Sequence, residues 1–159
     1  TQEQRRVRGG NERRPATEFV GRPRIAARLS TSDLTRRLGD PSGLLIDARS
    51  PDRYEGQQET LDRVAGHIPG AANHFFRQNM AEDGTMRPPE QLRVMFNAVL
   101  GGRPAEQAIM YCGSGVTACQ NLLAMEHAGL HGTKLYPGSW SEWSGEPSSP
   151  VETGPARLR

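Results

Sequence analysis

The sequence predicts an α/β fold on three observations. Beyond about residue 25, short continuous apolar runs alternate with segments of helical periodicity. Glycine, proline and N-capping residues stand at the junctions between them. A cysteine followed by a glycine-rich loop separates a predicted strand from a predicted helix, the place where ligands bind in open α/β sheets. With 159 residues the chain fits one domain and has no room for a second of ordinary size. Residues 1–24 read as a basic tail or inter-domain linker, 25–154 as the domain and 155–159 as a C-terminal tail.

The elements follow in order. Ser30, Thr31 and Ser32 offer N-caps for a helix carrying Leu34 and Leu38, which Gly39 and Pro41 end. Leu44-Leu45-Ile46 is a buried strand running into Asp47. Pro51 opens a short helix through Tyr54, and Gly56 begins an irregular polar stretch to about Arg63. His67-Ile68-Pro69-Gly70 turns into a short strand near residues 71–74, and Asp83-Gly84 marks another turn. Pro88 and Pro89 start a helix whose Leu92, Met95, Phe96, Val99 and Leu100 form one apolar face, with Gly101-Gly102 as its stop. Ala108-Ile109-Met110-Tyr111 is a continuous apolar strand ending at Cys112. A small-residue loop over 113–116 then leads into a helix from Thr117, with Leu122, Leu123 and Met125 for packing and Gly129 as its close. Leu135-Tyr136 is a last strand, residues 139–143 a terminal helical turn, and residues 144–159 trail along the surface.

Charge and composition exclude several classes. The net charge of +2 conceals ten arginines against four acidic residues in positions 1–37, leaving the remainder at −4. That arginine cluster, without aromatic interleaving or a nucleic-acid module behind it, reads as a solvated segment, and no nucleic-acid partner is expected. No apolar run is long enough to span a bilayer, so no membrane association is expected. Two cysteines without metal-ligand spacing predict neither a disulfide framework nor a zinc site, and a cytoplasmic location is the expectation. His67 and His74 lack a further histidine at ligand spacing, so no metal and no cofactor are expected. The chain opens without methionine, from which we expect a fragment or a processed product.

The chemistry concentrates in YCGSGVTAC, residues 111–119. Gly113 and Gly115 let the backbone curl so that several N–H groups face inward, and a helix N-terminus beside them favours an anion. The sulfur of Cys112 could be that anion, since thiolates at helix N-termini form well below the ordinary thiol range. Packing of Cys112 as a small hydrophobe beside a phosphate-binding loop is the plainer alternative. A cysteine-dependent phosphatase would need an arginine where this chain has Ala118, so phosphoryl transfer is not expected.

Together with IDARSPDRYEG (46–56), AGHIPGAAN (65–73) and LYPGSWSEW (135–143), this loop resembles the rhodanese family, specifically the catalytic C-terminal domain of 3-mercaptopyruvate and thiosulfate sulfurtransferases. The resemblance covers roughly residues 25–154. It implies a rhodanese-like α/β fold with a central, mostly parallel five-stranded sheet and helices on both faces, and a possible preceding rhodanese-like domain that would help close the site. Without that companion the pocket would be open and wet and the activity low.

The resemblance also implies that Cys112 takes sulfur from a small-molecule donor as a persulfide. A thiol acceptor, such as a small thiol or a thioredoxin-like protein, then receives it. Residues 113–117 (Gly113, Ser114, Gly115, Val116, Thr117) would bind the anion, with Ser114 also helping protonate the leaving enolate and Thr117 capping the helix. Arg53 and Arg63 match the pair that grips a mercaptopyruvate donor, Arg63 about a residue out of register. The absence of cations just after Cys112 favours mercaptopyruvate over thiosulfate. A non-catalytic sulfur-relay module carrying a persulfide on Cys112 is the alternative.

Other residues have plainer roles. Asp47 and Arg49 are expected to form a structural ion pair, His67 to stabilise a turn through the backbone, Cys119 to be buried packing, and Trp140 with Trp143 to cover the sheet edge.

Overall fold

The computed structural model describes residues 9–22 and 25–155; the expectations for residues 1–8, 23–24 and 156–159 lie outside the described residues. Residues 9–22 are exposed and carry no helix or strand. Four strands form the sheet: β1 (Leu44–Asp47), β2 (Ala72–Asn73), β3 (Ala108–Tyr111) and β4 (Lys134–Leu135). They lie in the order β2-β1-β3-β4, every pair parallel, with Ile46 opposite Met110 and Asp47 opposite Tyr111 in the central pair. Among the described residues the sheet has four strands rather than the expected five. At the outer edge of β4, Arg28 makes only an isolated parallel bridge to Leu135, a contact too short to count as a strand.

Alternation along the central strands sorts the core into two layers. Ile46, Ala48, Ala108, Met110 and Cys112 pack with Leu92, Phe96 and Leu100 of α3 (Pro89–Leu100) and with Ala118, Ala124 and Met125 of α4 (Val116–His127). On the opposite face, Ile109 and Tyr111 pack with Leu34 of α1 (Thr31–Arg37), Tyr54 of α2 (Pro51–Tyr54) and Trp140 and Trp143 of α5 (Ser139–Gly145). Helices thus cover both faces. Ser30 and Asp33 close a reciprocal capping box on α1, and Gly101 ends α3 in the left-handed conformation.

Three local readings change. The last long helix begins at Val116, one residue before Thr117, and its N-cap is Gly115 with no side-chain cap, so Thr117 lies inside the first turn and does not cap. The stripe that α4 turns inward is Ala118, Asn121, Ala124, Met125 and Ala128. Cys119 and Leu123 fall off it and are exposed, Leu123 at 60%, whereas both were expected to pack. Residues 146–154 do run along the surface, but they are tied down: Glu152 exchanges backbone hydrogen bonds with His67, Gly154 N–H donates to Glu55, and Trp143 Nε1 donates to Pro150.

Candidate active site

The sheet order reverses between β1 and β3, because the chain leaves β1 for β2 on one side and returns to β3 on the other. Their carboxyl ends feed helices on opposite faces, α2 after β1 and α4 after β3, which opens a crevice at the strand ends. Cys112 enters it directly from β3, and Arg53 enters from α2.

The loop after Cys112 is fixed by its carbonyls. Trp140 N–H donates to Cys112 O and Ser141 N–H to Gly113 O, both at 2.9 Å, so the first turn of α5 holds the loop from behind. Ser139 completes the clamp: its hydroxyl donates to Tyr136 O at 3.0 Å and accepts from Cys112 N–H at 3.1 Å. Ser139 adopts φ +54, a left-handed conformation that costs a non-glycine residue about 1–3 kcal/mol and is held by these bonds. Gly115, at φ +82, approaches Pro137 so closely that a Cβ would sit 2.7 Å from its carbonyl oxygen. Cys119 Sγ caps the Gly115 carbonyl at 3.3 Å.

With their carbonyls engaged, the loop residues keep their donors. Among the described residues, no hydrogen bond uses the N–H of Gly113, Ser114, Gly115, Val116 or Thr117. Such a run of unpaired amides on a tight loop at the start of a twelve-residue helix is suited to an anion. Cys112 itself is only 2% exposed and joins the α3/α4 core layer. Ser114 and Val116 are exposed, and Thr117 is half-buried.

The second wall is built from charge. Arg53 Nη2 donates to Glu59 Oε1 at 2.8 Å and to Asp62 Oδ2 at 3.3 Å, and its Nε donates to Glu59 Oε2 at 3.2 Å. Its guanidinium lies against the loop: a carbon added at Gly113 would meet Nη1 at 3.6 Å. Arg49 is buried, chelates Asp47 through Nε and Nη2 at 3.0 and 2.7 Å, donates to Gly66 O at 2.7 Å and sits 4.8 Å from the Trp140 ring centre. The Asp47–Arg49 ion pair therefore forms and anchors the polar loop to α5. Arg63 is exposed and makes no hydrogen bond or ion pair among the described residues, so it is not brought to the loop as Arg53 is.

Histidines stay structural. His67 Nδ1 bonds Tyr54 O at 2.8 Å and the ring stacks on Tyr54 at 3.8 Å. His74 Nε2 donates to Asn79 Oδ1, Asn79 Nδ2 donates to Asn121 Oδ1, and Asn121 Nδ2 returns to His74 O, a closed buried ring of polar contacts that ties α4 to β2. Glu59, Asp62, Ser139 and this ring escape sequence reasoning. Glu59 and Asp62 sit in an irregular stretch with no periodicity, and the only trace of Ser139 is its place within LYPGSWSEW.

The sequence matches the Rhodanese-like domain family over residues 30–146. It is 47% identical over 146 residues to a probable 3-mercaptopyruvate sulfurtransferase of Pseudomonas aeruginosa, covering 92% of this chain and 51% of that protein. To the putative thiosulfate sulfurtransferase SseB of Mycobacterium tuberculosis it is 44% identical over 119 residues, 70% of this chain and 39% of that protein. The chain thus spans about half, or less, of the length of these curated relatives. Among solved structures, the anaerobic ergothioneine biosynthesis enzyme of Chlorobium limicola superposes with a TM-score of 0.72 at 22% identity, over 82% of this chain and 33% of that one, which shows likeness of fold.

Proposed function

The chain belongs to the Rhodanese-like domain family, and from that premise we propose that it is a sulfurtransferase working through a persulfide on Cys112. The Cys112 thiolate attacks the outer sulfur of the donor and forms an S–S bond. With 3-mercaptopyruvate, the donor's C–S bond breaks, its electron pair leaves on the enolate of pyruvate, and a proton completes the product. With thiosulfate, the S–S bond breaks and sulfite leaves. An acceptor thiolate then attacks the outer sulfur of the persulfide, releasing Cys112 as thiolate, so the two half-reactions share one covalent intermediate and the kinetics are ping-pong.

The observation that carries this reading is the run of amides at 113–117, directly after Cys112, that find no acceptor among the described residues. Donors fixed before the reaction stabilise the anionic persulfide without reorganising. Arg53 offers its guanidinium to the donor's carboxylate and keto oxygens, and the exposed Ser114 hydroxyl serves the donor or the proton of the leaving enolate. A preference for 3-mercaptopyruvate is supported by the loop's lack of a cation and by the name of the Pseudomonas relative.

A relay reading, in which Cys112 holds sulfur for a partner protein without turning over small donors, draws support from the enclosure of Cys112. A donor comparison separates the two. Release of pyruvate from 3-mercaptopyruvate, faster than sulfite from thiosulfate and absent in Cys112→Ser, is the enzyme's result. A persulfide on Cys112 with no multiple turnover is the relay's, and no sulfur on Cys112 from any donor refutes both.

A further inference from the structure

Arg53 has three nitrogens, and Glu59 with Asp62 occupies two of them, Nε and Nη2. Nη1 makes no hydrogen bond among the described residues, and it lies with Nη2 beside the loop, at 3.6 and 3.7 Å from where a side chain at Gly113 would begin. The Glu59 side chain is 3% exposed and that of Asp62 11%, so bulk water and salt screen them weakly. Glu59 is further fixed by the N–H groups of Leu61 and Asp62, which donate to Oε1 at 3.0 and 3.2 Å. Burial pushes its carboxyl up, but the bonds from Arg53 and from these amides outweigh that and hold it below the ordinary carboxylate range. Arg49 pairs with Asp47 at 2.7 Å and also reaches Glu59 at 3.4 Å, so two cations meet three carboxylates at this wall of the crevice and leave it with an excess negative charge.

Resting on the sulfur-transfer reading, we propose that Glu59, assisted by Asp62, is a positioning and specificity-determining residue. It turns Arg53 so that Nη1 faces the sulfur-bearing loop, and its negative charge biases the site toward a singly charged carboxylate donor over a doubly charged oxyanion. The physical reason is first-order Coulomb energy: a dianion feels each neighbouring carboxylate twice as strongly as a monoanion does. Glu59 and Asp62 together leave Arg53 only Nη1 free, enough to hold one oxygen of a carboxylate and too little to neutralise two charges.

The test compares the rate at which 3-mercaptopyruvate and thiosulfate load sulfur onto Cys112 in single-turnover reactions followed by mass, in the full chain and in Glu59→Gln, Glu59→Asp and Asp62→Asn. Glu59→Gln raises the thiosulfate to mercaptopyruvate ratio of loading efficiency by about tenfold, with the mercaptopyruvate loss falling on donor affinity rather than on the saturated rate. Asp62→Asn raises the ratio less, about threefold, in keeping with its single longer contact. Glu59→Asp keeps the charge and so keeps the ratio near that of the unaltered chain while both rates fall. A ratio unmoved in the folded variants overturns the proposal even though Cys112 is loaded, and Asp62→Asn decides alone if Glu59→Gln does not fold. An unaltered chain that neither donor loads overturns the sulfur-transfer reading, and this proposal falls with it.

Discussion

The two walls of the crevice are held by different physics. The wall at Cys112 is a backbone construction, with loop carbonyls taken by α5 amides, a glycine at φ +82 and a strained Ser139 behind it. The wall at Arg53 is a side-chain construction, in which three carboxylates, Asp47, Glu59 and Asp62, orient two guanidinium groups across an irregular segment. Backbone holds a shape at fixed cost whatever the solvent, whereas ion pairs hold a charge pattern that substitution, pH and ligands can change. The first wall is therefore suited to chemistry common to every donor and the second to the choice among donors.

That division is broken most severely at the sulfur. Cys112→Ser keeps the loop, its α5 clamp and Arg53, yet sulfur transfer falls on the order of 10³-fold or more, because the hydroxyl is a far weaker nucleophile that cannot carry a sulfane sulfur. Stability should be nearly unchanged, as read by urea unfolding. Retained turnover in this variant would move the chemistry away from the backbone wall altogether.

Gly115→Ala attacks the same wall through conformation. The left-handed backbone and a Cβ 2.7 Å from Pro137 O cost about 2 kcal/mol or more of stability, and the amide run shifts with them. The expected result is a lower urea midpoint together with slower loading of both donors in equal proportion. A change in donor preference would mean that the two walls are not separable.

Arg53→Lys tests the other wall more gently. Lysine keeps the charge but not the fork that engages Glu59 on two nitrogens, so donor affinity falls about tenfold while the saturated loading rate changes less. An equal fall in the saturated rate would place Arg53 in the transition state rather than in binding.

Legibility from sequence follows the same line. The strands Leu44–Asp47 and Ala108–Tyr111 and the helix at 89–100 emerge from apolar runs, proline starts and glycine stops, because local propensity and burial agree there. The Cys112 loop is legible for the same reason: glycine positions and a strand-to-helix junction are written in consecutive residues. Glu59 is not, since its partners Arg49 and Arg53 lie across a loop whose path has no period, and only folding brings them within 3.4 Å or less. Cys119 and Leu123 fall outside the inward stripe because that stripe runs through Ala118, Asn121, Ala124 and Met125, mostly small residues and one asparagine that give little apolar signal in sequence. The fifth strand came from the family pattern, and here it shrinks to the single bridge at Arg28.

The smallest expected effect is on the pH dependence of stability, through the buried histidines His67 and His74. Burial lowers both His67 and His74 below the ordinary 6.5, opposed at His67 by the Tyr54 carbonyl and by the charges of Glu152 and Asp47, and at His74 only by the bond to Asn79. Because the folded values lie below the unfolded one, the unfolded chain takes up protons first as pH falls. Stability present above about 6.5 is therefore lost progressively down to the folded values. Urea midpoints at pH 7.5 and 5.5 should show that decline. Near His67 the Glu152 carboxylate, 3.9 Å from Nε2, is in place to accept a protonated ring, while His74 faces amides that offer no charge. His74→Gln should accordingly flatten the pH profile more than His67→Gln, and the reverse order would show that His67, despite Glu152 beside it, carries the acid sensitivity of the fold.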